Sequence, residues 1–361
     1  MKKYFKYFNY SLLFTPLSIT IIGIFVLYSI FEATGQAFFK RQIIWLIVSL
    51  IAFFIFSILN YKFYLNLAPS LYLFLIVILT FLIFFGKRIA GTKSWIGIGG
   101  LGVQPSEFGK IVVILLIARI FRDYYKGPLN FIDFFKASFI VGVPALLVFL
   151  GNDMGTAMTY SFIIIILIFI LGVRRNLLIL IIVGAVLFSI GSWNFVLKDY
   201  QKKRIKVFLN PQSDPLGVGY HTIQSKITIG SGGISGKGFL KGTQKKLGFL
   251  PAQHTDFILS VYAEEFGFVG IIVLILLYSF LFYSIFRVAY VAEDISSMLL
   301  VGLILGQIFF QFLINILVSL GKLPVAGVTL PLFSYGGSSL ITVYSLLGIV
   351  EGVHISKYSR E

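Results

Sequence analysis

The chain has 361 residues, of which 58% are hydrophobic and only 12% are charged, and its net charge is +16. So much apolar surface exceeds what the core of a soluble domain can hide, and the repeated apolar runs of about twenty residues indicate transmembrane helices. The absence of cysteine excludes disulfides, zinc–thiolate sites and thiol nucleophiles. The sequence therefore predicts an all-α integral membrane protein.

About ten membrane spans are predicted along the chain. The run after the basic N-terminus MKKYFKYFNY is too long for a signal-peptide core, so it is predicted as an uncleaved first span. Residues 1–361 are expected to form a single polytopic membrane domain, with a large extracytoplasmic loop at 197–255 between spans seven and eight. The predicted spans are 11–32, 42–60, 66–86, 105–122, 135–151, 155–172, 176–196, 256–286, 296–320 and 333–353.

Lysine and arginine residues in the short connections set the predicted orientation. The K/R bias favours cytoplasmic termini. The 197–255 loop then lies outside, against the sign of the rule, but its length is near the limit at which charge stops controlling orientation. The basic residues of the predicted cytoplasmic segments are Lys2, Lys3, Lys6, Arg122, Lys126, Arg174, Arg175, Arg287, Lys357 and Arg360.

Half of the net charge lies in the 197–255 loop, which contains ten basic residues and two aspartates, a difference of eight. This excess indicates an anionic partner, either lipid headgroups or a phosphate-bearing substrate. Nucleic acid is not expected, because aromatic residues are not interleaved with the basic ones as a stacking surface requires. The charged residues are Lys198, Lys202, Lys203, Arg204, Lys206, Lys226, Lys237, Lys241, Lys245 and Lys246, with Asp199 and Asp214.

Two predicted spans carry polar residues that lipid would not tolerate. In QPSEFGKIVVILLIARIF, Glu107 and Lys110 are three residues apart and share one helix face. They form either an ion pair at the helix entry or the charged lining of a cavity. In the ninth span a polar residue recurs every four positions, which indicates either interhelical hydrogen bonding or a substrate path. These residues are Gln307, Gln311, Asn315 and Ser319.

Polar breaks stand at the ends of other spans. Arg41 opens the second span, and Asp153 lies in the tight link GNDMGTA between the fifth and sixth spans. Asp153 is either the N-cap of the sixth span or a functional residue. Late in the chain, GKLPVAGVTLPLFSYGGSS combines prolines with glycines ahead of the final span. It predicts a re-entrant or broken segment, which is tolerated only where it is buried in protein or lines a cavity.

The candidate chemistries converge on one acid. GSGGISGKG is not a phosphate-binding loop, because Ser231 stands where glycine is needed and Gly238 where serine or threonine is needed. The three histidines lack the spacing of a zinc site. Asp256 lies where the basic, glycine-rich loop meets the eighth span, and Thr255 could cap that helix. Asp256 could likewise only cap the helix. Alternatively, basic neighbours keep it ionised by lowering its pKa, and it acts as a base or a cation ligand.

Three long motifs resemble the SEDS family (shape, elongation, division and sporulation) of cell-wall proteins. They are NPQSDPLGVGYHTIQSKITIGSGGISGKGFLKGTQKKLGFLPAQHTDFILSVYAEEFGFVG, QPSEFGK and LPVAGVTLPLFSYGGSS. The resemblance covers essentially the whole chain and is closer to elongation members than to division members. It implies a ten-span SEDS fold and a peptidoglycan glycosyltransferase. Such an enzyme polymerises lipid II, the undecaprenyl-pyrophosphoryl disaccharide-pentapeptide, on the outer face of the bacterial cytoplasmic membrane.

The resemblance also assigns roles to residues. It implies that Asp256 is the family's essential acid in the large extracytoplasmic loop, which we predict to be the general base of an inverting transfer. It implies substrate contacts at the polar pair of QPSE--K, the acid of the D-GTA link and the glutamine ahead of the glycine-rich run. These residues are Glu107, Lys110, Asp153 and Gln224, and we add the basic residues Arg41 and Lys245 as further predicted substrate-binding residues.

Partners and cofactors are expected on the same basis. Such enzymes work with a class B penicillin-binding protein transpeptidase and with other membrane proteins of the elongation complex. No cofactor is certain, although a divalent cation such as Mg²⁺ could assist at the pyrophosphate. Ser94 and Asn152 depart from the family pattern, which commonly has arginine and proline there, but neither departure touches Asp256.

Two rival functions stay open at this point. A lipid II flippase would need the same groove and the same basic lining without bond chemistry, and polar residues at membrane depth fit transport as well as catalysis. A non-catalytic scaffold would only position a partner synthase.

Overall fold

The computed structural model describes residues 6–89, 92–98, 101–122, 124, 127–197, 199–209, 214, 218–245, 250, 252–325 and 327–358. The helices are α1 Ser11–Thr34, α2 Phe38–Ile58, α3 Tyr61–Phe85, α4 Pro105–Ile120, α5 Phe131–Leu150, α6 Met154–Leu171, α7 Arg175–Gly191, α8 Asp199–Leu209, α9 Val218–Ser231, α10 Ile258–Tyr290, α11 Ile295–Ser319 and α12 Gly337–Tyr358. The strands β1 Lys87–Ile89, β2 Thr92–Ile98 and β3 Leu101–Val103 form a small antiparallel sheet. Six basic residues named above lie outside the described part of the chain: Lys2, Lys3, Lys126, Lys198, Lys246 and Arg360.

Each of the ten predicted spans coincides with a helix, so the predicted fold class is confirmed. Within the described ranges, nine helices are long and apolar enough to cross a bilayer. The tenth, α4, has only 16 residues and rises about 24 Å, less than the hydrocarbon core of a typical bilayer. The last span begins at Gly337, four residues later than expected, because the residues before it form an irregular segment.

The spans alternate in direction and leave both described ends of the chain on one side of the bundle, where the rings of Tyr7 and Tyr358 stack with centroids 5.6 Å apart. The opposite side carries the β-sheet, the link at Asp153, the helices α8 and α9 and the turn that contains Asp256. We call this side the Asp256 face. The segment predicted as a loop at 197–255 thus contains two helices.

The helix α12 is the most buried of the candidate spans and packs against α2, α4, α10 and α11. Glycine permits its close approach to α2, since a Cβ at Gly348 would lie 2.4 Å from the carbonyl oxygen of Phe53. Another glycine, Gly23 of α1, faces the backbone of Phe333 in the same way at 2.4 Å. The centre of the bundle is therefore set by backbone contacts at small residues.

Replacing Gly348 should destabilise the bundle. Gly348→Val forces α12 away from α2, and overpacking of this kind costs about 1–3 kcal/mol. Gly142→Val is the matched control, because Gly142 lies on α5 with nothing within 4 Å of an added Cβ. Thermal unfolding in detergent should show a lower midpoint for Gly348→Val alone. Equal midpoints in the two variants would contradict the proposed packing.

Candidate active site

Asp256 lies in the turn 252–257 that leads into α10. The N-cap of α10 is Phe257, and among the described residues no side chain caps the helix there. The hydroxyl of Thr255 instead donates to the carbonyl oxygen of Ala252 at 3.3 Å. The prediction that Thr255 caps the helix is therefore wrong, as is the capping alternative for Asp256. The half-buried carboxylate of Asp256 is left available for another role.

Burial raises the pKa of Asp256, and a hydrogen bond with Thr255 opposes this shift. The sequence predicted the opposite direction, on the expectation that basic neighbours surround the acid. In the described part of the chain, no lysine or arginine nitrogen lies within 4 Å of this carboxylate. Two lysines of the preceding loop, Lys237 and Lys245, pair instead with the two glutamates of AEEFGF.

Three hydrogen bonds fix the backbone around Asp256. The side-chain amide of Asn315 on α11 donates to the carbonyl oxygen of Asp256 at 3.1 Å. The hydroxyl of Ser334 donates to the carbonyl oxygen of Thr255 at 2.7 Å. The backbone N–H of Tyr335 donates to the carbonyl oxygen of His254 at 2.9 Å. The turn is therefore held by the end of α11 and by the segment that precedes α12.

This segment, residues 328–336, is irregular and largely buried. Gln42 of α2 holds it, donating to the carbonyl oxygen of Ser334 at 3.0 Å and accepting from the N–H of Gly336 at 3.3 Å. The prediction of a broken segment buried in protein is confirmed. The sequence analysis missed Gln42, although it named the exposed neighbour Arg41. The signal for Gln42 was an amide in the second turn of an apolar helix.

Stacked rings connect the turn that contains Asp256 to α2. We call this turn and the groups that hold it the Asp256 cluster. The imidazole of His254 stacks on Phe38 with ring centroids 4.0 Å apart and nearly parallel planes. Burial lowers the pKa of His254. Arg41 therefore lies one turn along α2 from a ring that contacts the turn containing Asp256.

Glu107 and Lys110 form a second polar cluster at the start of α4. The ammonium of Lys110 lies 2.8 Å from both carboxylate oxygens of Glu107, and the lysine side chain is only 1% exposed. The predicted ion pair at the helix entry is confirmed. Because the pair is buried, each charge depends on the other.

Asp153 belongs to the same cluster. It is the N-cap of α6 and accepts from the N–H of Thr156 at 3.0 Å, which confirms the capping alternative. Its other oxygen accepts a hydrogen bond from the side chain of Gln104, whose backbone N–H donates to the hydroxyl of Ser338 at 2.9 Å. Burial raises the pKa of Asp153, against the hydrogen bonds from Thr156.

The two clusters meet through one stretch of chain. Ser334 bonds the turn of Asp256, and Ser338, four residues later, bonds the Glu107 cluster through Gln104. A displacement of this stretch would therefore reach both clusters. Their common attachment places the predicted base and the predicted polar pair on one side of the bundle.

The remaining predicted substrate residues, Gln224 and Lys245, lie in the segment 197–255 on the Asp256 face. Gln224 is half-buried on α9, and the hydroxyl of its neighbour Ser225 lies 2.7 Å from that of Ser260 on α10. The ammonium of Lys245 is buried against Glu265 and the hydroxyl of Ser29 on α1. Lys245 thus forms an ion pair within the protein, with Glu265, and the contact of Lys245 with substrate stays a prediction.

The polar stripe on α11 is buried throughout. The side-chain amide of Asn315 donates to the backbone carbonyl oxygens of Asp256 and Val328, at 3.1 and 2.8 Å. Gln307 differs, because neither amide atom has a hydrogen-bond partner in the described ranges. Asn315 therefore makes hydrogen bonds, but to the turn 252–257 and the segment 328–336 and not to another helix, so interhelical hydrogen bonding by the stripe stays a prediction.

Comparison with known proteins gives long matches. The sequence matches the FtsW/RodA/SpoVE family, described as "Cell cycle protein", over residues 9–359. It is 38% identical to the peptidoglycan glycosyltransferase MrdB of Escherichia coli strain K12 over 345 residues, 94% of this chain and 93% of that protein. It is 30% identical to the peptidoglycan glycosyltransferase RodA of Treponema pallidum, covering 96% of this chain and 97% of that protein.

Solved structures agree with these matches. A chain from a study of how a peptidoglycan synthase complex coordinates polymerization and crosslinking superposes with a TM-score of 0.84 at 30% identity, over 97% of this chain and 98% of that one. The crystal structure of the Rod shape determining protein RodA of Thermus thermophilus superposes with a TM-score of 0.72 at 28% identity, over 97% and 98% of the two chains.

The Glu107–Lys110 pair offers a stability test. Lys110→Met should lower the free energy of unfolding by about 3–5 kcal/mol, because it leaves the carboxylate of Glu107 buried without its partner. The double variant Glu107→Gln with Lys110→Met removes both charges and should recover much of that loss. Thermal unfolding in detergent measures both. A double variant as unstable as Lys110→Met would show that the charges are not coupled.

Proposed function

Because the chain belongs to the FtsW/RodA/SpoVE family, we propose that it is a peptidoglycan glycosyltransferase that polymerises lipid II for cell elongation and cell shape. The observation that carries the catalytic assignment is the carboxylate of Asp256, half-buried, free of any capping role and held on a fixed turn. It is a multi-pass membrane protein, with nine candidate spans in the described residues. We place its reaction on the extracytoplasmic side of the bacterial cytoplasmic membrane.

The proposed reaction is a single displacement. Asp256 takes the proton of the 4-hydroxyl of the acceptor sugar, whose oxygen attacks the anomeric carbon of the donor. The bond from that carbon to the pyrophosphate oxygen breaks, and undecaprenyl pyrophosphate leaves with the electron pair. An α-linked donor then gives a β-1,4 product by inversion, and no covalent intermediate forms.

The raised pKa of Asp256 suits this role better than the low pKa that the sequence suggested. A carboxylate with a higher pKa is a stronger base, and proton transfer is most efficient when the catalytic pKa approaches the working pH. The leaving pyrophosphate is already stable as an anion, so deprotonation of the acceptor is the main chemical requirement. One well-placed carboxylate can meet it.

The other predicted residues would bind the substrate. Lys110 would stabilise the charge that develops on the pyrophosphate, with Glu107 fixing the position of its ammonium. Arg41, Gln224, Asp153 and Lys245 remain candidate contacts. The described residues include no group of three histidines or carboxylates suited to a metal ion, so a Mg²⁺ ion stays a prediction and no step depends on it.

Partners follow from the same proposal. One structural neighbour comes from a peptidoglycan synthase complex, which supports a class B penicillin-binding protein as the partner that cross-links the new strands. Other membrane proteins of the elongation complex would join them.

Loss of the base should slow polymerisation strongly. Purified lipid II is supplied in detergent to the native chain, with its cognate penicillin-binding protein inactivated in its transpeptidase, and to Asp256→Asn. The variant should be slower by about a thousandfold, since general base catalysis contributes 10²–10⁴-fold. Asp214→Asn removes another loop carboxylate, one that pairs with Lys203, and should polymerise normally.

Folding and lipid II binding are measured in every sample first. Native rates in Asp256→Asn would overturn the assignment of the base. Polymer from no sample, together with movement of lipid II across a bilayer, would support the flippase instead.

The rate should also depend on pH. Only ionised Asp256 can accept a proton, so kcat/KM should fall as the pH is lowered through its pKa, which burial places above the ordinary 3.8. Initial rates between about pH 4 and pH 9 test this by locating the acidic limb. A rate that stays flat across the acidic range would argue against a carboxylate base.

A further inference from the structure

The glycine-rich run that the sequence analysis excluded as a phosphate loop docks against a break in α10. We call residues 232–245 the clamp loop. At Gly267 the backbone of α10 has φ 64° and ψ −162°, which interrupts the helix. A Cβ at Gly267 would lie 2.3 Å from the nitrogen of Gly236, so only glycine fits this approach. The break and the clamp loop are therefore one packed unit.

Main-chain hydrogen bonds join the clamp loop to both sides of the break. The N–H groups of Lys237 and Gly238 donate to the carbonyl oxygens of Glu264 and Glu265, each at 2.9 Å. Beyond the break, the N–H of Phe268 donates to the carbonyl oxygen of Gly233 at 3.0 Å. These bonds take over from helical bonds that the break removes. Because the loop amides are used in this way, they are not presented to a phosphate.

Glu264 collects the polar groups of the clamp loop. One carboxylate oxygen accepts from the ammonium of Lys237 at 2.6 Å, the N–H and hydroxyl of Thr243 at 2.8 and 3.0 Å, and the N–H of Gln244 at 3.2 Å. The side chain of Glu264 is fully buried, whereas that of Lys237 is 28% exposed. This acid therefore organises the loop around a single point on α10.

Glu265 makes a second, deeper attachment. Its carboxylate accepts from the ammonium of Lys245 and from the hydroxyl of Ser29 on α1, and that hydroxyl accepts in turn from Lys245. All three side chains are buried. The clamp loop is thus tied to α1 as well as to α10.

These attachments lie at one end of a short helical piece, residues 258–266, and the turn that contains Asp256 leads into its other end. Glu264 follows Ile258, the first residue of α10, by six residues, which is about 9 Å along the helix axis. Asn315 and Ser334 fix the piece at the Asp256 end, and the clamp loop fixes it at the break. Buried ion pairs contribute little net stability compared with apolar packing, so their effect here is to define geometry.

We propose that Lys237 and Glu264 are positioning residues, which hold the first part of α10, and with it the turn that contains Asp256, in the orientation that glycosyl transfer requires. This inference rests on the proposed function for its catalytic readout. It also explains why Lys237, in a loop rich in positive charge, faces an acid of its own chain.

The test compares Lys237→Met with Lys241→Met. Both remove one loop lysine, but Lys241 is exposed and lies outside the hydrogen-bond set of Glu264. Lys237→Met should lower kcat for lipid II polymerisation by about tenfold to a hundredfold with KM unchanged, since small misplacements of a catalytic group reduce rates on this scale. Lys241→Met should leave kcat unchanged, and Lys237→Arg should restore most of kcat.

A second readout does not depend on activity. Amide hydrogen exchange at residues 252–257 should quicken in Lys237→Met and stay unchanged in Lys241→Met. If Lys237→Met does not fold, Thr243→Ala, which removes one hydroxyl from an exposed position, should show the same changes at smaller size.

The outcomes separate the two proposals. Unchanged exchange and unchanged kcat in Lys237→Met would overturn the positioning role. A raised KM with unchanged kcat would also overturn it, because it would make Lys237 a substrate contact. Absence of polymer from the native chain would contradict the proposed function, and hydrogen exchange would then still decide whether the clamp loop holds the turn of Asp256.

Discussion

A backbone that leaves helical geometry inside a membrane protein must find hydrogen-bond partners within the protein. The segment before α12 meets this constraint through side chains, since Gln42 bonds Ser334 and Gly336, and Asn315 bonds Val328. The same Asn315 and Ser334 also bond the turn of Asp256. The same side chains therefore satisfy the backbone hydrogen bonds of this segment and fix the position of Asp256.

The second constraint is the placement of charge. The chain has a large positive excess, yet its buried lysines are not free cations: Lys110 meets Glu107, and Lys245 meets Glu265. Asp256 is different, because the described residues give it no basic partner within 4 Å. An acid without a local counter-ion, at the edge of a positively charged region, is suited to accept a proton from a neutral hydroxyl beside an anionic substrate.

Local patterns predicted what depends on neighbours in sequence. Hydrophobic runs located the spans, the i,i+3 spacing identified the Glu107–Lys110 pair, and the GNDMGTA link placed a cap at Asp153. The direction of the pKa shift at Asp256 was missed, because it depends on the burial of the turn after folding, while Lys237 and Lys245 pair with glutamates on α10. Gln42 was missed for a similar reason, since its partners lie almost three hundred residues away.

The break at Gly267 has a consequence for how the protein meets membranes of different composition. α10 has 33 residues, and the part after the break rises about 35 Å, enough by itself to cross the hydrocarbon core. A helix that is longer than the local bilayer thickness adjusts by tilting. The residues between the turn of Asp256 and the break are not needed to cross the bilayer, and they are buried within the protein instead. The part of α10 whose length must match a bilayer is thereby separate from the part that leads out of the turn of Asp256.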